Sequence, residues 1–432
     1  MHETEDKEHE ITFHNNHNVF ILGAGFSVDA GLPTMKTFIP AMRHAVSWAE
    51  QENLLDLRDD IVQSLVFRKL STSAAYRCKV DPSNIEDIFS LFDGGSTRLK
   101  NNFNRYSMQK AIAATLESRM AAYRQHKKSI KVVFQDYLET SFSQKYIDSL
   151  PNDADSTRQK IIPLYAACAA LFANSFAMKS NSIVQPKNTI ITFNYDTLLE
   201  ESLEGISVPY NLGILDSDIS IEHDSSNLIY RQSLSGLSIL KLHGSMNWAM
   251  SYKAHENHQN RSSSDKTYPC IRIYNTATDL FRDDAHLYDQ LILEPPTWNK
   301  GKSAPILQLL WDKSIEALST ATRVFIIGYS IPETDMHFKY LLASGLSNNI
   351  SLEEIVIVNP SFDDTTESEA LRARIFKVFR EEHESDRSIR LIPYNASNFI
   401  LAPSGAKFSH ANLLPFMLFP TLSHSFFLQA NP

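Results

Sequence analysis

The residues of this 432-residue chain that could do chemistry come directly after short apolar runs. The run Val19–Leu22 is followed by Gly23-Ala24-Gly25-Phe26-Ser27 and then by a helical pattern. Glycines let backbone N–H groups approach a pyrophosphate, and a following helix N-terminus favours its negative charge. The arrangement therefore predicts a phosphate-binding loop. It departs from the dehydrogenase fingerprint, because Val28 stands where a third glycine is needed and no acidic residue follows at 42–46.

Four more polar groups follow predicted strands, namely Phe193-Asn194-Tyr195-Asp196, Leu242-His243-Gly244-Ser245, Gly328-Tyr329-Ser330 and Asn359. Asn194 and Asp196 alternate with aromatic residues, so both side chains can face one way at a sheet edge. An imidazole in the turn at His243 can act as a general base near neutral pH. Gly328 allows close backbone approach, and the polar groups of Ser330 and Asn359 can bind phosphate or ribose.

Each of these side chains also has a structural interpretation. Asp196 has the type and position of a helix N-cap ahead of the run 197–200. His243 can be a hydrogen-bonded core histidine, and Asn359 can be a turn residue before Pro360. Glu86-Asp87 is most simply a charge pair at the start of a helix. These explanations treat each residue separately. They do not explain why polar groups follow several of the predicted strands, and the functional interpretation rests on that recurrence.

The elements that must position these groups are short apolar runs separated by helical patterns. The predicted strands are Val19–Leu22, Thr189–Phe193, Ser238–Leu242, Val324–Ile327, Ile355–Val358 and Arg390–Ile392. Continuous apolar character without alternation is typical of parallel strands covered on both faces. The sequence therefore predicts an α/β fold, a doubly wound Rossmann-like parallel sheet with a large helical insertion. Ligands of such a sheet lie at the carboxyl ends of its strands.

The first two predicted strands are too far apart for a single crossover helix, which indicates an insertion. The predicted segments are a mobile acidic leader (1–18), the Rossmann-like domain (19–39 and 187–400) with loop-rich excursions (207–237 and 249–303), the helical insertion (40–186) and an apolar tail (401–432). Helices are expected over Ala111–Tyr123 and Ile162–Ala177. The tail either packs on the chain's own core or forms a subunit contact.

Charge and cysteine content exclude several classes of protein. Three scattered cysteines without a CxxC pair exclude a disulfide framework and a cysteine-rich zinc module. The histidine pairs His14/His17 and His255/His258 have no cysteine or cluster of carboxylates nearby in the sequence, so we expect no bound metal. The polar N-terminus and the lack of an apolar run of about 18 residues predict a soluble cytoplasmic protein with no membrane span. The segment 98–145 carries ten Lys/Arg and three Asp/Glu, which indicates a solvated helical face or a contact surface for nucleic acid or an acidic partner.

The set GAGFSVDAGLP (23–33), FNYD (193–196), LHGS (242–245), GYSIPETD (328–335) and VNP (358–360) resembles the sirtuin-like family. It is most similar to the family's bacterial branch of NAD-degrading enzymes in anti-phage defence. The resemblance implies a catalytic histidine at His243 and a polar pair, Asn194 and Asp196, at the nicotinamide riboside. It implies that the remaining positions bind NAD, with the pyrophosphate at Gly23, Ala24, Gly25 and Ser27, and the adenosine side at Gly328, Ser330 and Asn359.

The activity implied is that of an NAD+ glycohydrolase, which cleaves NAD to nicotinamide and ADP-ribose without a metal. Sirtuins that deacylate proteins carry Pro-Asp-Phe-Arg after the loop and a four-cysteine zinc module. This chain has Pro33-Thr34-Met35-Lys36 and three cysteines, which argues against deacylation. The alternative function is a non-catalytic sensor of NAD or ADP-ribose, or an assembly subunit for an ATPase or nuclease partner. By analogy with relatives of this size, we expect a homo-oligomer and a HerA-type hexameric ATPase as partner.

Overall fold

The fold was examined in a computed structural model, which describes residues 17–75, 80–94, 105–126, 131–135, 159–163, 165, 168–169, 172, 187–205, 208–214, 220–223, 237–253, 268–283, 290–295, 304–331, 335–362, 366–379 and 389–393. The strands are β1 (His17–Leu22), β2 (Lys131–Gln135), β3 (Gln159–Pro163), β4 (Lys187–Thr192), β5 (Tyr210–Asn211), β6 (Ser220–His223), β7 (Leu237–Lys241), β8 (Gly244–Lys253), β9 (Tyr268–Ile273), β10 (Gln290–Leu293), β11 (Arg323–Ile327), β12 (Glu354–Val358) and β13 (Ile389–Ile392). The helices are α1 (Phe38–Gln51), α2 (Leu55–Ala75), α3 (Ile85–Gly94), α4 (Arg105–His126), α5 (Leu198–Gly205), α6 (Ala277–Arg282), α7 (Pro305–Ser319), α8 (Met336–Leu346) and α9 (Thr366–Val378).

Seven parallel strands form the main sheet, in the order β13-β12-β11-β1-β4-β7-β5. The central strand β1 is completely buried, and its Ile21 pairs with Ile326 on one side and Ile191 on the other. From β1 the chain builds the sheet first through β4 and β7, and later through β11 and β12 in the opposite direction. The predicted Rossmann-like α/β fold is confirmed, and the strand order reverses at β1, where such folds bind ligands.

A second sheet has four strands in the order β10-β8-β9-β6. β6, β9 and β10 lie in the excursions 207–237 and 249–303 that were predicted to be loop-rich, and β8 extends into the second of them from Gly244. The longest strand, β8, begins directly after His243 and pairs antiparallel with β9 and β10. The sequence Gly244–Lys253 contains no Val, Ile or Thr, so its strand propensity is weak and only pairing with neighbours defines it. The expectation of loops is therefore wrong for these described parts.

The described part of the segment 40–186 is mainly helical, with α1, α2 and α4 packed together. The helix expected over Ala111–Tyr123 is confirmed within α4. The helix expected from Ile162 is wrong at its start, because Ile162 belongs to β3 and pairs with Val132 of β2. The β-branched side chains on both strands favour this antiparallel pair over a helix. The division of the chain into domains stays a prediction.

Three of the four lysines and arginines of α4 form ion pairs with carboxylates within the fold. Arg124 binds Glu117 of the same helix at 2.8 Å and Glu201 of α5 at 2.7 Å. Arg105 and Lys110, also on α4, form ion pairs with Glu294 and Asp60. These three cations pair within the fold. Half of the ten basic residues of the segment 98–145 lie outside the described residues, so the interpretation of the whole segment stays a prediction. Glu201, Glu294 and Asp60 lie outside the segment 98–145, so a charge count over that segment could not reveal these pairs.

The ends of the chain also differ in part from expectation. The leader predicted through residue 18 ends earlier, because His17 and Asn18 are buried in β1. The ring of His17 hydrogen-bonds Thr189 at 2.9 Å, and Asn18 donates to Asn188 at 3.0 Å, so the polar groups are satisfied within the sheet. Residues 1–16 and the apolar tail 401–432 lie outside the described residues. Among the described helices, none is both long and apolar enough to cross a membrane.

Candidate functional site

A cavity of about 540 Å³ lies at the carboxyl edge of the main sheet. Nine of the ten predicted site residues line it: Ala24, Gly25, Ser27, Asn194, Asp196, His243, Gly328, Ser330 and Asn359. The tenth, Gly23, is the residue directly after β1, beside the cavity wall. Five segments separated by up to hundreds of residues therefore meet at one place, because parallel strands deliver their carboxyl ends to the same edge.

The glycine loop packs directly on the backbone that follows β11. Gly23 donates its N–H to the Ile327 carbonyl at 3.0 Å, and Gly25 donates to the Gly328 carbonyl at 2.8 Å. Gly328 has φ +66°, and a Cβ built there would lie 2.3 Å from the Phe26 nitrogen. The glycines are therefore required for contact between the two loops. Because these two N–H groups donate to protein carbonyls, any phosphate must rely on other groups of the loops.

Ser27, Asn194 and Asp196 form a connected polar group, named here the polar triad. The Ser27 hydroxyl, which is buried, donates to Asp196 Oδ2 at 3.0 Å and accepts from Asn194 Nδ2 at 3.2 Å. Asn194 Nδ2 also donates to the Gly23 carbonyl at 3.0 Å. The expectation that Asn194 and Asp196 face one way is consistent with their shared contact to Ser27. The amide oxygen of Asn194 is left to accept a hydrogen bond from a water or a ligand hydroxyl.

Asp196 combines the structural and the site interpretation. Its Oδ1 accepts the Leu198 N–H at 3.2 Å, as expected of a residue that begins a helix, while its Oδ2 accepts from Ser27. Burial raises the pKa of Asp196, and this effect is opposed by Lys241, the Leu198 amide and the Ser27 hydroxyl. When it is ionised, the carboxylate supplies negative charge just below the cavity wall.

His243 lies in the turn between β7 and β8, and its ring is almost completely buried. The ring centroid is 5.2 Å from that of Phe193 and 5.9 Å from that of Tyr195. The next residue, Gly244, has φ +75°, and a Cβ there would lie 1.9 Å from the Ile292 carbonyl oxygen. The imidazole is thus held between aromatic rings and lines the cavity, so the buried and the site interpretations of His243 apply together.

The residues after β11 and β12 form another part of the cavity wall. Tyr329 stacks on Phe193 with ring centroids 5.0 Å apart, and its hydroxyl donates to Asp335. Asn359 donates from Nδ2 to the Tyr329 carbonyl at 3.3 Å, and its Oδ1 accepts from the Ser361 N–H at 3.0 Å. The structural interpretation of Asn359 as a turn residue is therefore confirmed. Its contact with a ribose stays a prediction, as does that of Ser330, which is exposed at the wall.

The sequence interpretation missed several residues of the cavity wall. Tyr195 donates its hydroxyl to the Glu294 carbonyl at 2.7 Å, and burial raises its pKa well above the usual range, so the hydroxyl remains a donor. Glu86 reaches the wall from the first turn of α3, although it was interpreted as a helix-start charge. The aromatic pattern around Asn194 could have indicated Tyr195, whereas the face that α3 presents is not encoded locally.

The charges of the wall are unequal. Lys36 is the one lysine or arginine among the described wall residues, and four carboxylic acids accompany it: Asp29, Glu86, Asp196 and Asp335. Among the described residues, no group of three or more His, Cys, Asp or Glu side chains could hold a metal ion. An anionic ligand would therefore depend strongly on Lys36 and on neutral hydrogen-bond donors.

Residues 188–379 match the family model described as the SIR2-like domain. This range runs from β4 to the end of α9 and contains Asn194, His243 and Gly328. It begins after the Gly23 loop. Over these residues the chain is similar to the SIR2-like domain. A search of curated proteins found no match.

Solved structures of Sir2 proteins are also similar to this chain. A Sir2 homologue in complex with 2′-O-acetyl-ADP-ribose is 11% identical, with 90% of each chain covered and a TM-score of 0.36. A structure that describes the mechanism and regulation of Sir2 enzymes is 13% identical, with 90% of each chain covered and a TM-score of 0.34. A Sir2 homologue in complex with ADP-ribose is 12% identical, with 90% of each chain covered and a TM-score of 0.33.

Proposed function

We propose that the cavity binds NAD+ and that the chain hydrolyses the bond between nicotinamide and ribose, releasing nicotinamide and ADP-ribose. The observation that carries the proposal is the meeting of the polar triad and His243 in one cavity. Asn194, Asp196 and His243 also lie within residues 188–379, which are similar to the SIR2-like domain. The cavity volume of about 540 Å³ lies within the usual range for small-molecule sites, about 300–1,000 Å³.

The chemistry of the bond determines what the site must supply. Nicotinamide leaves as a neutral molecule, and the ribose carbon that it leaves develops positive charge before water attacks. A site that accelerates this step holds the ribose, places negative charge near that carbon and positions the water. The attacking water must also lose a proton to a base as the new carbon–oxygen bond forms.

The wall residues match these tasks. Asn194 donates from its amide nitrogen to Gly23 and Ser27, and no described residue donates to its amide oxygen, which can accept a hydrogen bond from water or from a ribose hydroxyl. The carboxylate of Asp196, with both oxygens held by protein donors, stabilises the developing positive charge without leaving its place. His243 accepts the proton from water or from a ribose hydroxyl. The stacked rings of Phe193 and Tyr329 provide an apolar, planar surface beside these groups.

Hydrolysis of NAD is favoured over protein deacylation by the sequence of the loop and by the cysteine content. The loop continues as Pro33-Thr34-Met35-Lys36, and the chain has only three cysteines. On the resemblance of the motifs, we further propose a role as an NAD-depleting effector of bacterial anti-phage defence. A homo-oligomer and a HerA-type ATPase partner belong to the same proposal, and mass photometry of the isolated chain tests the oligomer.

The first experiment measures nicotinamide release from NAD+ by the wild-type chain, Asn194→Ala and His243→Ala. We expect each variant to lose at least about a hundredfold in kcat, as is usual for groups that act in the transition state. His44→Ala is the matched control, because His44 is exposed on α1 outside the cavity wall. Variants that retain the wild-type rate would refute the assignment. Binding of NAD without turnover by the wild type would instead favour the sensor function.

A further inference from the structure

A buried lysine lies beneath the site and contacts the turn that carries two of its polar residues. Lys241, the last residue of β7, is 1% exposed. Its ammonium donates to the backbone carbonyl of Asp196 and to Glu200 Oε1, the latter at 2.6 Å. A buried ammonium is costly unless it is paired and hydrogen-bonded, so this lysine needs both contacts. Other residues of β7, such as Ile239 and Leu240, pack in the apolar core, whereas the Lys241 ammonium binds polar groups of Asp196 and Glu200.

The turn after β4 is held by carbonyl contacts from the neighbouring strands. The Tyr195 carbonyl accepts the Met246 N–H at 2.9 Å and the Ser245 hydroxyl at 3.2 Å. The next carbonyl, of Asp196, accepts from Lys241. Two consecutive carbonyls of the turn are thus bound by residues that precede and follow His243 in the sequence. This arrangement fixes the direction of the peptide planes, and with them the directions of the adjoining side chains.

We propose that Lys241, held by Glu200, is a positioning residue that fixes the turn 194–196 so that Asn194 and Asp196 meet Ser27 at the cavity wall. The inference rests on the proposed function for its effect on turnover, whereas its effect on the turn is independent of any activity. Lys241 does not line the cavity, so it acts through the residues that do.

The charges around Asp196 give the proposal a pH signature. The groups that interact with its carboxylate are Lys241 of β7, Glu200 and Glu201 of α5, and Tyr165. Of these, Lys241 is the cation, and it favours the ionised form of Asp196. Removal of Lys241 therefore raises the pKa of Asp196, and an activity that needs the carboxylate is lost at a higher pH as the solution is acidified.

The test uses two variants because one leaves a charge unpaired. Lys241→Met leaves the buried carboxylate of Glu200 without its ion-pair partner, so the folded state of this variant is expected to be strongly destabilised. The double variant Lys241→Met with Glu200→Gln removes both charges and is expected to recover much of the lost thermal stability. Lys313→Met is the control, since Lys313 also donates to a backbone carbonyl, that of Gly213 at 2.6 Å, which does not belong to the turn 194–196.

We expect the double variant to show at least a tenfold lower kcat with a smaller change in KM. The acid limb of the kcat profile should move to higher pH in Lys241→Met, where Glu200 keeps its charge, and less in the double variant, which loses both charges. Amide hydrogen exchange in a peptide covering 193–197 should be faster in the double variant, with exchange in β1 unchanged. A double variant with wild-type kcat and exchange would overturn the proposal. If the wild-type chain releases no nicotinamide, the proposed function fails. Hydrogen exchange then decides the positioning role alone.

Discussion

The contact between the glycine loop and the residue after β11 gives the sharpest prediction of stability. Gly328 combines a left-handed φ of +66° with a site where a Cβ would lie 2.3 Å from the Phe26 nitrogen. Adoption of the left-handed region by a residue with a Cβ costs about 1–2 kcal/mol. Overpacking against atoms that cannot move away costs about 1–3 kcal/mol. Gly328→Ala is therefore expected to lower the free energy of unfolding by about 2–5 kcal/mol.

Three other glycines separate the two contributions. Gly31 has φ +87° and open space around it, so Gly31→Ala should lose only the conformational part, about 1–2 kcal/mol. Gly25 lacks a left-handed φ, but a Cβ there would lie 2.7 Å from the Gly328 oxygen, so Gly25→Ala should lose only the packing part, about 1–3 kcal/mol. Gly205 has neither constraint, and Gly205→Ala should be neutral or slightly stabilising.

The assay is thermal and urea unfolding of the four variants, with NAD affinity measured on the same samples. The packing variants at Gly25 and Gly328 should also weaken NAD binding by at least about tenfold, because they push apart two loops that line the cavity. The variants at Gly31 and Gly205 should bind as the wild type does. Equal stabilities of Gly328→Ala and Gly31→Ala would refute the close contact between the loops. Unchanged NAD affinity in the packing variants would refute its link to the cavity.

Three further predictions concern single side chains. Lys36→Met should weaken NAD binding by at least about tenfold, measured by calorimetry, whereas Lys36→Arg should retain most of the affinity; equal affinities would exclude a contact with the phosphates. Burial raises the pKa of Asp196. The carboxyl group therefore stays protonated to a higher pH in the folded state than in the unfolded chain. As a result, the free energy of unfolding falls as pH rises from about 4 through the folded pKa. Asp196→Asn should therefore be more stable than the wild type at pH 7 with a smaller dependence on pH, and lower stability in urea would mean that the attraction of Lys241 outweighs burial. Tyr329→Phe loses the hydrogen bond to Asp335, the N-cap of α8, and should lower the free energy of unfolding by about 1 kcal/mol. An unchanged free energy of unfolding in urea would show that this hydrogen bond does not contribute to stability.

Six of the seven strands of the main sheet could be predicted because they are continuous runs rich in β-branched and aromatic residues. Such runs have one consistent interpretation, and polar residues after them mark the edge where ligands bind. The sequence also predicted Ser27, Asn194 and Asp196 as candidate site residues at this edge, and they line the cavity, although their mutual hydrogen bonds were visible only in the fold. The two-residue strand β5 (Tyr210–Asn211) at the edge of the sheet was missed. The second sheet was missed because Gly244–Lys253 has no β-branched residue, and its pairing with β9 and β10 depends on distant segments.

Other features depend on contacts that sequence does not encode locally. Lys241 lies within the predicted strand Ser238–Leu242. Its partner Glu200 follows a different strand, so the sequence around Lys241 does not indicate their contact. Glu86 looks like an ordinary acidic residue in the first turn of a helix, and only the packing of α3 brings it to the cavity. The ion pairs of Arg124 likewise join α4 to α5, so a charge count over one segment could not distinguish them from a surface patch.

The cavity has two walls of different origin. The polar triad and His243 come from loops that the parallel sheet holds in place, whereas Glu86 of α3 and Leu116 of α4 come from the long segment between β1 and β4. Substitutions in those helices can change the shape and charge of one wall without disturbing a single hydrogen bond of the triad. Related chains with this fold could therefore change which molecules enter the cavity while they keep the proposed reacting groups. Comparison of the helices should then report on selectivity, and comparison of the strand ends on the proposed chemistry.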